Sequence, residues 1–136
     1  MKELIFRTTI ALLAGIGVLG AGRISIAQWT GNASCPRVGF LPVCYLILVG
    51  YSLIVLSMYP RLQKTSLLFL TGYVPVIFFA ITGVVGELTG ILQCPNLKNG
   101  TPTCYISAAL ALIIGLTGWF LFKSRKTDSV IKSKFI

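Results

Sequence analysis

Residues 28–45 read QWTGNASCPRVGFLPVCY, and residues 87–105 read ELTGILQCPNLKNGTPTCY. Both stretches contain, in the same order, Gln or Glu, Thr-Gly, Cys-Pro, a later Gly, and finally Pro, any residue, Cys-Tyr. All four cysteines of the chain lie in these two stretches. Because cysteine and proline recur in one order at similar spacing, we interpret the stretches as an internal repeat that divides the chain into two related halves.

Long apolar segments flank both stretches. Hydrophobic residues make up 55% of the 136 residues and charged residues 11%, with a mean hydropathy of +0.87, whereas a soluble domain carries about 25% charged residues. A helix of about 20 apolar residues crosses the hydrocarbon core of a bilayer. Four segments meet this requirement, with approximate bounds Ile5–Gln28, Leu41–Tyr59, Ser66–Leu88 and Thr103–Phe122.

The sequence therefore predicts an all-α membrane protein with four transmembrane helices in a single domain, residues 1–136. Each half forms one helical hairpin, repeat 1 over about 5–59 and repeat 2 over about 66–122, and a basic tail follows at 123–136. Because lipid provides no hydrophobic drive between helices, rows of small residues four apart favour close helix contacts. Such rows occur in the first and third segments, at Gly17, Ala21, Ser25 and at Thr82, Gly86, Gly90.

The basic residues predict the orientation in the membrane. Of the twelve Lys and Arg residues, only Arg23, Arg37 and Lys98 lie at or beyond the end that carries the cysteine loops. Since basic residues concentrate on the cytoplasmic side, we expect both termini in the cytoplasm and the cysteine loops outside it, at a cell or inner membrane. The net charge of +9 then indicates topology and contact with anionic lipid, and no nucleic-acid partner is expected.

The first segment also has features of a cleavable signal peptide. A basic start, an apolar run over 10–22 and the small residues of Ser25-Ile26-Ala27 fit that alternative. The repeat includes Ala27 and Gln28, so we favour an uncleaved first helix.

The cysteines are the main candidates for chemistry. The chain has no His, which excludes Ser-His and Cys-His nucleophilic sites and His-bound metal centres, and we expect no metal. Four cysteines allow three pairings. The repeat favours Cys35 with Cys44 and Cys94 with Cys104, one bridge in each loop.

A second candidate site lies beneath the loops. Glu87 is an acidic residue near the outer end of the third helix, and its counterpart in the repeat is Gln28. Carboxyl groups inside membranes mark ion or proton pathways, so a small transporter or channel that uses Glu87 is one alternative. The other is an interfacial Glu87 paired with Arg23, within a polar binding cluster that includes Gln28, Thr30 and Thr89.

The overall layout resembles a known family. Four helices with cytoplasmic ends and a cysteine pair in each of two outward loops resemble the DsbB and vitamin K epoxide reductase-like membrane proteins. This resemblance implies quinone-linked thiol-disulfide exchange, with Cys35, Cys44, Cys94 and Cys104 as the catalytic residues. That family has one pair as C-x-x-C beside the quinone, whereas the pairs here are spaced C-x8-C and C-x9-C.

Two functional hypotheses therefore compete. We favour a non-enzymatic accessory, assembly or ligand-binding subunit without a cofactor, whose disulfide-pinned outer loops contact a partner or a small ligand. Such a small chain exposes much helical surface, so we expect the lipid bilayer and either further copies of itself or a larger membrane complex as partners. The alternative is the quinone-linked oxidoreductase that the resemblance implies.

Overall fold

The computed structural model describes residues 1–32, 35, 37–62, 64–94, 96 and 98–135. Pro36 and Pro95 of the repeated motif and the last residue of the tail lie outside this part. Within it the chain is mostly helical, which confirms the predicted fold class at this level. The elements in chain order are α1 (Lys2–Trp29), β1 (Arg37–Val38), β2 (Leu41–Pro42), α2 (Val43–Ser57), α3 (Thr65–Leu88) and α4 (Thr103–Lys134).

Three of the helices, α1, α3 and α4, are long and apolar enough to cross a membrane, which indicates a membrane protein. The second helix is shorter than predicted, at 15 residues. Its predicted first two residues, Leu41 and Pro42, instead pair as a strand with 37–38. Pro42 has the extended backbone of a helix N-cap, so the helix can begin only after it.

The two cysteine loops begin with the same backbone geometry. Thr30 donates its hydroxyl to the carbonyls of its own last turn, and Thr89 does the same in α3. The glycine that follows, Gly31 or Gly90, has a φ of 77° or 74°, a left-handed conformation that glycine adopts without steric cost. Each Thr-Gly pair therefore ends its helix and turns the chain into the loop.

Each loop is closed by one disulfide. The bonds join Cys35 to Cys44 and Cys94 to Cys104, with Cα atoms 6.5 and 6.1 Å apart. This is the pairing that the repeat favours. Both second cysteines lie in the first turn of a helix, two residues after the N-cap prolines of α2 and α4.

The four helices form a bundle in which each packs on its two neighbours, in the cyclic order α1, α2, α3, α4. The tightest approach joins α2 and α3 at Gly50 and Gly72. A methyl group on Gly72 would lie 2.8 Å from the Gly50 carbonyl oxygen, so only glycine allows the two backbones this close. The buried core runs along the axis and consists of Ile10, Ala14, Tyr51, Ile54, Met58, Phe69, Val76, Ala80, Ala111, Ile114 and Leu121.

The prediction that two rows of small residues mark close helix contacts is only partly right. Gly17 and Ser25 are buried in the bundle, as the first row predicts, but Thr82 and Gly90 are exposed. The glycine of α3 that makes the helix contact is Gly72. The rotation of α3 is set by its fit against α2, which spacing alone does not specify.

The fourth helix extends well past the predicted span, to Lys134, so the basic tail is helical in its described part. Arg125, near the start of this tail, contacts the N-terminal part of the chain. Its guanidinium donates two hydrogen bonds to Oε1 of Glu3, which also pairs with Arg7 at 3.2 Å. One carboxylate between two arginines therefore connects the N-terminal part of α1 to the C-terminal part of α4.

Candidate functional site

An apolar cavity lies under the two cysteine loops, between all four helices. Its volume is about 300 Å³, at the lower end of the range for small-molecule sites. The wall is almost entirely apolar, and glycines contribute much of it. The lining residues are Ile16, Gly17, Gly20, Ala21, Ile24, Cys35, Val43, Cys44, Ile47, Tyr51, Phe79, Ala80, Gly83, Leu92, Cys94, Thr103, Cys104, Ile106, Ser107 and Leu110.

The cavity opens sideways rather than through the loops. Among its lining residues, the exposed ones are Ile16, Gly20 and Ile106. They belong to α1 and α4, so the mouth lies between these two helices. In a membrane this mouth faces lipid, because both helices have the length and composition of membrane spans.

Tyr51 forms the inner end of the cavity. It lies eight residues into α2, about 12 Å from the start of the helix at 1.5 Å per residue, and is 2% exposed. Its ring packs against Gly17, where a methyl group would lie 2.7 Å from the ring. The hydroxyl faces Ser107 of α4 but completes no well-formed hydrogen bond within the described part of the chain. A buried hydroxyl without a partner costs about 1–3 kcal/mol, so Tyr51 is a ready polar contact for a bound molecule.

Both disulfides line the outer end of the same cavity. Cys44 and Cys104 lie at the N-termini of α2 and α4, where the helix dipole favours negative charge. A molecule that occupies the outer end of the cavity would therefore lie next to both bridges. Disulfides of this kind can pin the loops above a ligand or exchange electrons with one.

Glu87 lies against the second disulfide. One of its carboxyl oxygens and the sulfurs of Cys94 and Cys104 are all within 4.8 Å of one another. Its Oε2 atom is buried and has no hydrogen-bond partner in the described part of the chain. Three such groups could hold a metal ion only if the disulfide were reduced, since a bridged sulfur is not a thiolate ligand.

In the described part of the chain, the other members of the predicted polar cluster form no ion pair with Glu87 and do not satisfy its buried Oε2 atom. The Thr30 and Thr89 hydroxyls are used within their own helix ends, and Arg23 is exposed on α1. Among the described residues the ion pairs involve Glu3 alone, so the predicted pairing of Glu87 with Arg23 is not formed. Gln28 resembles Glu87 in one respect, because its side-chain oxygen is also buried without a partner.

Sequence reasoning missed the inner half of the site. Tyr51 and Ser107 lie in apolar helices and resemble ordinary core or surface residues. The one available signal was the number of glycines in the chain, fourteen, of which Gly17, Gly20 and Gly83 line the cavity. Composition cannot say which glycines face an aromatic ring and which face open space.

Comparisons with protein-family models, with curated proteins and with solved structures find no match to this chain. The function of the protein therefore has to be inferred from the site itself.

Proposed function

We propose that this protein is a polytopic membrane protein that binds a small, lipid-dissolved, mainly apolar molecule beneath two disulfide-pinned loops, as a ligand-binding or accessory subunit of a membrane assembly. The observation that carries this proposal is the apolar cavity of about 300 Å³. Its mouth between α1 and α4 suits entry from the bilayer, and its polar contact, the Tyr51 hydroxyl, suits a ligand with one oxygen or nitrogen at its leading end.

In this proposal all four helices cross the membrane as two tandem hairpins. The 15 residues of α2 span about 22 Å as a helix, and two extended residues before it add about 7 Å. Together they match a hydrocarbon core of about 30 Å. The termini are cytoplasmic because most basic residues lie at their end of the bundle. The loops then face the oxidising side, where their disulfides persist.

The cavity can be filled from a position that does not disturb the bundle. Gly20 lines it, and a methyl group there would meet nothing within 4 Å. We expect Gly20→Leu to occupy part of the cavity and weaken binding of an apolar probe at least tenfold. Gly15→Leu is the matched control, since Gly15 has equally open surroundings on the same helix and lies outside the cavity.

The measurement is calorimetric titration of the detergent-solubilised protein with a short-chain 1,4-dimethoxybenzene, which has no redox chemistry under these conditions. The proposal requires saturable binding by wild type and by Gly15→Leu. Equal binding by the Gly20→Leu variant would show that the ligand site lies elsewhere.

A second candidate function is quinone-linked thiol-disulfide exchange. It is favoured by one observation, that both disulfides line the cavity in which an apolar molecule would lie. A short-chain benzoquinone should then reoxidise the dithiol-reduced protein and turn over repeatedly with a dithiol. If the quinone binds no better than its dimethoxy analogue and supports no turnover, the oxidoreductase hypothesis fails while the ligand-binding proposal stands. The transport alternative gains no comparable support, because Glu87 is the penultimate residue of α3 and not a mid-helix residue.

Assembly with further copies or with a larger membrane complex is part of the leading proposal. The chain exposes large apolar side chains along every helix, including Leu19, Phe78 and Trp119. Cross-linking in native membranes tests this point. A species that remains strictly monomeric and copurifies with nothing would contradict the accessory role.

A further inference from the structure

The two disulfides occupy different surroundings. In the first bridge Cys35 is buried, at 8% exposed, and only Cys44 is partly exposed, whereas both Cys94 and Cys104 of the second bridge are partly exposed. An external thiol has to reach a sulfur atom before it can attack, so the second bridge is the more accessible one.

The second bridge also lies against one face of α3. A methyl group on Gly83 would be 3.2 Å from the Cys104 sulfur, and Glu87 is one turn further along that face. This arrangement places the carboxyl group within 4.8 Å of both sulfurs. In the repeat, the positions that correspond to Gly83 and Glu87 in α1 are Ile24 and Gln28, which carry no charge.

Glu87 has few charged neighbours. Helix α2 contains no charged residue, and α4 contains none before Lys123. Arg23 on α1 and Lys98 in the second loop are exposed. In the described part of the chain, this carboxyl forms no ion pair and lies within 4.8 Å of the two sulfurs of the disulfide.

We propose that Glu87 makes Cys94–Cys104 a proton-coupled redox pair that exchanges with an external dithiol, while Cys35–Cys44 is a structural cross-link. This inference does not depend on the cavity binding a ligand. The co-reactant is a dithiol, such as a reduced cysteine pair of another protein.

The exchange proceeds in two steps. The first thiol of the dithiol passes its proton to Glu87 as its sulfur attacks Cys94. The Cys94–Cys104 bond breaks, and the departing Cys104 sulfur takes that proton from Glu87. The second thiol then attacks its own partner sulfur in the mixed disulfide, and its proton goes to the released Cys94. Two electrons and two protons pass to the pair, and the dithiol leaves as a disulfide.

The negative charge decides which form of the reductant reacts. A thiolate that attacks Cys94 approaches this carboxyl group, which lies within 4.8 Å of both sulfurs. At an effective dielectric constant of about 20, a carboxylate several ångströms away disfavours the thiolate by roughly tenfold or more. A neutral thiol that transfers its proton to the carboxylate avoids this repulsion. At an ordinary disulfide only the thiolate is the nucleophile. The two bridges should therefore respond differently to pH.

The test measures the reduction rate of each bridge by dithiothreitol between pH 5.5 and 8.5, in lipid nanodiscs, by differential alkylation and peptide mass spectrometry. In wild type, the reduction rate of Cys35–Cys44 should fall about tenfold for each unit by which the pH is lowered, in proportion to the thiolate fraction of the reductant. The reduction rate of Cys94–Cys104 should fall less than threefold per pH unit. Equal slopes for the two bridges in wild type would overturn the proposal without any variant.

Substitution then tests Glu87 itself. At pH 6, Glu87→Gln should slow the second bridge about a hundredfold, the lower end of the effect of a well-placed proton-transfer group, and give it the steep slope of the first. Glu87→Asp should keep a shallow slope, and Gln28→Glu should leave the second bridge unchanged. An unaltered rate and slope in Glu87→Gln would overturn the role of this carboxyl. Gly15→Leu, which lies outside the cavity, should keep the difference between the bridges. Because reduction rates are measured without a cavity ligand, a failed ligand site and a failed redox pair give separate results.

Discussion

The half of the bundle at the chain termini, called here the inner half, and the half beneath the cysteine loops, the outer half, contain glycines with different surroundings. In the inner half, a neighbouring side chain occupies the space beside a glycine. Gly118 lies against the Phe69 ring, and a methyl group on Gly118 would be 2.6 Å from that ring. In the outer half, Gly20 lines the cavity, and a methyl group there would meet nothing within 4 Å. The same residue type thus makes close packing in one half and a cavity in the other, depending on what the facing helix presents.

The two halves also differ in the interactions that hold the helices together. The inner half has stacked and edge-on aromatic contacts of Phe69 with Tyr73 and Phe122, at 5.7 and 5.4 Å between ring centres. The outer half has less packing around its cavity and two covalent bridges. In a bundle where lipid supplies no hydrophobic drive between helices, cross-linked loops allow a cavity to exist without separation of the helix ends.

The largest effect is expected at the glycine contact. Gly72→Leu places a side chain against the Gly50 carbonyl and Leu53, so α2 and α3 have to separate. We expect the free energy of unfolding to fall by about 3 kcal/mol, the upper part of the range for overpacking. Titration with a denaturing detergent, followed by tryptophan fluorescence, measures this loss. Gly15→Leu, with open surroundings, should lose little free energy of unfolding. A similar loss in this variant would show that close packing at the Gly50–Gly72 contact is not the cause.

Removal of the first bridge should have the next largest effect. The double variant Cys35→Ser, Cys44→Ser opens a loop with a sequence separation of 9, for which chain entropy predicts a loss of about 2.5 kcal/mol. The same denaturation measures it, and wild type without reductant is the reference. A loss below about 1 kcal/mol would mean that loop packing, and not the bridge, holds the outer half together.

A smaller effect of opposite sign is expected at the inner end of the cavity. Tyr51→Phe removes a buried hydroxyl that has no well-formed hydrogen bond, so the ligand-free protein should become about 1 kcal/mol more stable. The parallel substitution Tyr73→Phe in the inner half serves as a comparison. Reduced stability in Tyr51→Phe would show that the hydroxyl already has a partner, and the cavity would then lack its predicted polar contact.

The smallest effect is expected at the ion pairs of the inner end. Glu3→Gln removes contacts to Arg7 and Arg125, but the Glu3 side chain is 53% exposed. Exposed pairs contribute about 0.5 kcal/mol and are screened by salt. Unfolding measured at low and high salt should show the small loss only at low salt. A loss that persists in 1 M salt would mean that these ends are held as firmly as the glycine contact.

Much of the fold followed from local pattern. The long apolar segments predicted α1, α3 and the start of α4 closely, because length and composition suffice for a helix that has to satisfy its own backbone in lipid. The end of α4 lies twelve residues beyond the predicted Phe122, at Lys134. The start of α2 was misplaced by two residues, since Pro42 closes a small hairpin with the opposite side of the loop. That pairing depends on the path of the loop, which single-residue preferences do not encode.

The site was predictable only in part. The repeat singled out the cysteine pairs and Glu87, but the polar cluster around Glu87 was overestimated, because Arg23 lies on the exposed side of α1. Tyr51 gave no signal at all, since a tyrosine in an apolar helix is common in packed cores.

By itself, the sequence determined that the chain is a helical membrane protein, that two cysteine loops lie at one end, and that Glu87 and Gln28 stand at corresponding places. Those features depend on composition and on spacing along the chain. Only the tertiary structure decided that both bridges share one cavity, that Tyr51 closes its inner end, and that Glu87 lies within 4.8 Å of both sulfurs of the second bridge. Each of these depends on how the helices rotate against one another, and that rotation is set by close contacts such as Gly50 with Gly72, between residues far apart in the chain.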